Sequence, residues 1–142
     1  MNRFEFNRTQ PLDELSDDMV QNIFDASATV VDIPDSLLFS VAVVTNEDIA
    51  PLNKQYRGKE GPTDVLSFRY DEENGEILLS VDKIRAQAAE YGHDVRTEAA
   101  FLLVHGILHI LGWDHERSEK EAKEMRNLEI TILQQCGLNC AR

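Results

Sequence analysis

Apolar and polar positions alternate at the start of the chain, where Phe4 and Phe6 sit between polar neighbours and predict a short first strand. After Pro11 the period changes: Leu15, Met19 and Ile23 recur at every fourth position, the spacing of a first helix. Leu37 to Thr45 (LLFSVAVVT) is β-branched and apolar, long enough for an internal strand. Asn46, followed by Glu47 and Asp48, supplies an N-cap and an acidic first turn for a second helix running to about Tyr56. Val65–Phe68 and Glu76–Leu79 are two further strands, separated by the turn-rich Asp71–Gly75 and so expected to pair as a hairpin or lie side by side.

Helices dominate the remainder. Ser80 caps a third helix that ends at Tyr91 and Gly92. Residues 97 to 111 are apolar on nearly every side, the mark of a helix buried in the domain. Ser118-Glu119-Lys120-Glu121 has the form of a capping box opening an amphipathic last helix through Met125, Leu128 and Ile132. The expected class is α+β: a small mixed β-sheet of about four strands packed with about five helices, carrying a zincin-like metal motif on the buried helix and the turn after it. A chain of 142 residues with 42% hydrophobic content fits a single domain, 1–142, around one core.

Composition narrows the partners. No apolar run approaches the roughly 20 residues of a membrane span, and the N-terminus lacks a basic region leading into an apolar one, so no membrane association and a cytoplasmic location are expected. Cys136 and Cys140 are too close to staple distant segments and are read as two free thiols. The net charge of −12 argues against a general polyanion-binding surface. Residues 54 to 69 are the exception, with Lys54, Arg57, Lys59 and Arg69 against Glu60 and Asp64. Any nucleic acid belongs there.

The chemistry concentrates in HGILHILGWDH, residues 105 to 115, which holds three of the four histidines. On a helix, positions i and i+4 share a face about 6 Å apart along the axis, so His105 and His109 can aim at a common atom. Gly112 then permits a turn that returns His115 towards them. Three neutral nitrogens with an open fourth position suit one catalytic zinc ion, and other divalent transition metals are compatible with the same donors. A lone histidine on an apolar helix is ordinarily a core residue bonded to backbone, and His93, beside Gly92, is taken as a surface bystander. The long zincin pattern H-E-x-x-H-x-x-G-x-x-H matches at the later histidines and the glycine, but Gly106 stands where that motif has its general-base glutamate. A metalloprotease-like hydrolase therefore becomes the second reading.

With glycine in that slot, the segment resembles the signature H-G-x-L-H-x-x-G-x-D-H of the YbeY family of bacterial endoribonucleases, which act in ribosomal RNA maturation. The resemblance extends to Leu52–Phe68 (LNKQYRGKEGPTDVLSF), Gly75–Ser80 (GEILLS) and Glu90–His93 (EYGH). Trp113 departs from the tyrosine common in the family, and the Cys136–Cys140 tail is particular to this chain. The resemblance implies His105, His109 and His115 as metal ligands and Arg57 as the cation facing the substrate. It also implies a single-strand-specific, metal-dependent endoribonuclease acting in small-subunit ribosomal RNA maturation and ribosome quality control. Its partners would be single-stranded RNA and the small ribosomal subunit with its associated proteins. An Arg guanidinium can hold a phosphate through two bonds, and Lys54 and Lys59 can follow neighbouring phosphates. Asp114 and Glu116 flank His115 and receive no role from the sequence. A third reading is a metal-stabilised ribosome-assembly factor that cuts nothing.

Overall fold

The computed structural model describes residues 4–8 and 10–139. In chain order the elements are β1 (Phe4–Arg8), α1 (Asp17–Val30), β2 (Leu38–Val44), α2 (Asn46–Arg57), β3 (Val65–Arg69), β4 (Asn74–Ser80), α3 (Val81–Tyr91), α4 (Val95–Ile110) and α5 (Glu119–Gln135). The four strands form one mixed sheet in the order β1-β2-β4-β3, so the expected sheet and helix numbers hold. β1, β2 and β4 run parallel, while β3 and β4 make the anticipated hairpin, with Val65 opposite Leu79 and Arg69 opposite Gly75.

Strand alternation sends two sets of side chains to opposite faces. Phe39, Val41, Val43, Val65, Ile77 and Leu79 join the main core with apolar residues of α1, α3, α4 and α5. Leu66 and Leu78 point the other way and pack with Ile49, Leu52 and Phe68, placing α2 across the second face. The sheet is covered on both sides, as its parallel strands require. Among the described residues, no helix is long and apolar enough to cross a membrane.

Four local expectations need correction. Leu15 precedes α1: the Ser16 side chain accepts the Met19 N–H at 3.1 Å and starts the helix one residue later, leaving Leu15 buried in the core just ahead of the cap. Thr45, not Asn46, caps α2, because its hydroxyl accepts the Asp48 N–H while the Asp48 carboxylate accepts the Thr45 N–H, a complete capping box. Asn46 instead ties two helix starts together, its side-chain oxygen accepting from Ser80 at 2.7 Å and its N–H donating to Asp82 at 2.8 Å. At α5 the Ser118 hydroxyl accepts the Glu121 N–H, but the Glu121 carboxylate turns away to the Asp114 N–H and Arg117, so only half of that box forms.

The fourth correction concerns His93, which is no bystander. Its side chain is turned inward, with Nε2 lying 2.6 Å from Oε1 of the fully buried Glu98. Of the two cysteines, Cys136 is a free, half-buried thiol and Cys140 lies outside the described residues.

Candidate active site

Between Thr97 and Ile110, helix α4 is buried at every position except His105 and His109. Two imidazoles therefore interrupt an otherwise apolar element, one turn apart, where it meets an open cleft. The N-terminus of α4 is fixed by Asp94, whose carboxylate accepts the Thr97 N–H at 2.7 Å. Its C-terminus gives way to a turn at Gly112, whose φ of 105° lies in the region that only glycine enters without strain.

The loop after Gly112 is braced by its own polar groups. Asp114 accepts the Glu116 N–H at 2.8 Å, the Asp114 N–H donates to Glu121 at 2.8 Å, and Arg117 bridges the Gly112 carbonyl and Glu121. These bonds bring His115 back over α4, as the spacing requires. The ring of His105 lies 5.1 Å from that of His115 and 6.3 Å from that of His109, centroid to centroid. Asp114 thus receives a positioning role in the loop, which the sequence left open.

All three histidines line one cleft of about 580 Å³ together with Arg57, Lys59, Asp64, Ser67 and Glu116. The basic segment reaches it because α2 ends at Arg57 and residues 58–64 lead from there into β3. Arg57 and Lys59 face the cleft, whereas Lys54 is engaged by Glu60 at 3.1 Å on the surface. Glu116 sits between the two halves of the site, with Oε1 3.7 Å from Arg57 Nη2 and 3.9 Å from His115 Nε2.

Three residues that received no role from the sequence complete the arrangement. Glu129 of α5, only 3% exposed, places Oε2 2.7 Å from His105 Nδ1. Its signal was available: an acid beside Leu128 and between Met125 and Ile132, on the apolar side of an amphipathic helix, is a buried polar group in need of a partner. Phe101 stacks near His105 with centroids 6.0 Å apart, and Arg126 lies 5.3 Å from the Phe101 ring.

The donor set suits a divalent transition metal. A histidine held at Nδ1 by a carboxylate keeps Nε2 available, the usual arrangement behind a metal-ligating imidazole. Desolvation, and then the neighbouring His105, hold the His109 pKa below the ordinary histidine value, favouring the neutral ring that can donate to a metal. Nitrogens at about 2.0–2.1 Å around a tetrahedral ion place neighbouring ring centroids about 5 Å apart. The His105–His115 pair has about that spacing, and the His105–His109 pair is about 1 Å wider. Accordingly, among the described residues no three His, Cys, Asp or Glu side chains are drawn together to enclose an ion as they stand.

Gly106 faces the sheet beneath the cleft. A Cβ there would lie 2.9 Å from Ile77 Cγ2 and 3.0 Å from Ser67 Oγ, so the glycine is what lets α4 press onto the sheet. Any side chain at that position must displace Ile77 or Ser67, which crowds out a carboxylate base of the zincin kind.

A mixed sheet backed by a histidine-bearing helix, with an arginine across the cleft, defines a small α+β domain with a hydrolase-like site. The family described as Endoribonuclease YbeY matches residues 4–137 of the chain. An Endoribonuclease YbeY from Bacillus licheniformis is 40% identical over 91% of this chain and 89% of its own length. One from Roseiflexus castenholzii is 42% identical over 76% of each. The solution structure of TM1509 from Thermotoga maritima superimposes with a TM-score of 0.69 at 25% identity, covering 94% of this chain and 88% of its own. The chain belongs to the YbeY endoribonuclease family.

Proposed function

We propose that this protein is a metal-dependent endoribonuclease that cuts single-stranded RNA in the cytoplasm during maturation of small-subunit ribosomal RNA and ribosome quality control. The observation that carries the reading is the convergence of His105, His109, His115 and Arg57 on one cleft, within a chain of this family. His105, His109 and His115 would hold one zinc ion or a comparable divalent transition metal. When bound, such an ion supplies a Lewis acid at the scissile phosphate and lowers the pKa of water to about 7.

The chain's own side chains bind and orient the substrate. Arg57 offers two parallel N–H donors to the non-bridging oxygens and offsets the charge that builds there as the phosphorus is attacked. Lys59 adds a second cation in the same cleft. Glu116 keeps the guanidinium directed into the cleft in the free protein, and an arriving phosphate replaces that carboxylate as its partner. Glu129 holds the His105 ring in one orientation.

The test is cleavage of single-stranded and duplex RNA alongside elemental analysis of the purified protein. His109→Ala is expected to abolish cleavage and lose metal, and Arg57→Ala to abolish cleavage and keep it. Normal cutting by both variants would overturn the reading. End-group analysis of the products identifies the attacking group, a 2′,3′-cyclic phosphate pointing to the RNA 2′-hydroxyl. Peptide turnover stopped by chelators would favour the protease reading, against which the crowding at Gly106 stands. Binding of small-subunit particles by a metallated protein that cuts no RNA would favour the assembly factor.

A further inference from the structure

Among the described residues, Tyr56, Tyr70 and Tyr91 are the large apolar side chains that stand open to solvent, and the first two belong to one row. Tyr56, at the end of α2, packs its ring against Phe68 of β3 at 4.5 Å between centroids. Phe68 in turn stacks near Tyr70 at 6.1 Å. Tyr56 is 52% and Tyr70 57% exposed. Neither is needed to fill a core, and with the half-buried Phe68 between them, its ring tilted 55° from that of Tyr56, they form a small aromatic contact face.

Its position connects it to the cleft. β3 is one of the two edge strands of the sheet, and its alternation turns Ser67 towards the cleft and Phe68 to the opposite face, beside Leu52. Tyr56 joins the row on that opposite face, while the next residue, Arg57, lines the cleft. The Tyr56–Arg57 step is therefore where the aromatic row and the cleft meet, around one edge of the sheet.

Charge gives the row a direction. Arg57 and Lys59 follow its Tyr56 end and line the cleft, with Lys54 already engaged by Glu60, whereas Asp71, Glu72 and Glu73 follow its Tyr70 end, where the Tyr70 hydroxyl donates to Glu76. A polyanion is attracted to the first end and repelled from the second. The space is thus suited to one or two bases beside Arg57 and unsuited to a long track.

We propose that Tyr56 and Phe68 form a stacking platform for an unpaired RNA base, adjoining a phosphate held by Arg57. The proposal rests on the reading of the cleft as an RNA-cutting site. Aromatic rings beside cations are the recurring means of holding a single strand, and every base has a face to stack, so the platform selects unpaired strands without reading their sequence. A base enclosed in a duplex stack has no free face to offer. The strand would bend round the edge of β3, with a base on one side and the cleft on the other.

The experiment uses the full chain and a short single-stranded 2′-O-methyl oligonucleotide carrying 2-aminopurine, with its integrity checked on a gel. The unmodified protein is expected to quench the 2-aminopurine on binding. Tyr56→Ala should lose the quench and bind about 5- to 100-fold more weakly, and Tyr56→Trp should restore both. An abasic oligonucleotide should bind the unmodified protein more weakly yet bind Tyr56→Ala no worse than the intact strand does. If Tyr56→Ala binds and quenches normally while Arg57→Ala loses RNA, the platform is wrong and the cleft reading stands. If Arg57→Ala also binds normally, the cleft reading falls with it.

Discussion

Glu129 Oε2 lies 2.7 Å from His105 Nδ1, and the two residues come from different helices, α5 and α4, 24 positions apart. The bond fixes which ring nitrogen faces the cleft, and burial of Glu129 makes the arrangement rigid. On the proposed reading of the cleft as a metal site, Glu129→Ala is expected to weaken zinc binding by about 10- to 100-fold, the usual cost of losing such a partner. A competition titration against a chromophoric chelator measures it. Retention of wild-type zinc affinity would show that His105 is oriented without Glu129.

Gly106→Ala tests whether α4 depends on its close approach to the sheet. Replacing a helical glycine by alanine ordinarily gains about 1 kcal/mol, but the new methyl would meet Ile77 Cγ2 at 2.9 Å. Ile77 is fully buried and β-branched, so that methyl group has no free volume to enter. Overpacking of this kind costs about 1–3 kcal/mol and should offset or outweigh the gain, giving a protein less stable by up to about 2 kcal/mol in urea unfolding. A variant more stable than the parent would mean that the helix can lift off the sheet at little cost.

The His93–Glu98 pair should matter to folding. Glu98 is fully buried with His93 Nε2 at 2.6 Å, so His93→Ala removes a hydrogen-bonding partner from a buried carboxyl group and leaves a gap beside it. A loss of about 3 kcal/mol is expected, and adding Glu98→Gln should recover part of it by removing the acid. Chemical denaturation of the single and double variants gives the coupling directly. Strict additivity would show that the two groups do not support one another.

The helix that carries the site could be read from the chain because its signal is local: an apolar run with two histidines one turn apart, then glycine, needs no knowledge of what lies opposite. The β3–β4 hairpin was legible for the same reason, its turn residues lying between two apolar runs. What escaped was set by distance or competition. Glu129 reaches His105 only when α5 folds across α4, and the inward turn of His93 depends on Glu98 being sealed by the core. Leu15 has the helix period, yet Ser16 wins the cap and excludes it. At α2 the neighbouring Thr45 has the geometry that Asn46 was expected to have.

Asp94 links the stability of the site-bearing helix to pH. Its carboxyl is held below the usual aspartate value, first by the hydrogen bond to the Thr97 side chain and next by that to the Thr97 backbone N–H. A carboxyl whose folded value is depressed adds stability that is fully present above its unfolded value, about 3.9, and is lost as pH falls through the lower folded value. Asp94→Asn keeps an oxygen able to cap α4 but removes the titrating charge and its attraction to the helix N-terminus. Near pH 7 the variant should be less stable by about 0.3–1 kcal/mol. The difference should shrink as pH falls below about 4, where the unfolded carboxyl gains its proton ahead of the folded one. Paired urea titrations from about pH 7 to pH 2.5 follow it, and a difference that stays constant over that range would show that the cap acts through its shape and not its charge.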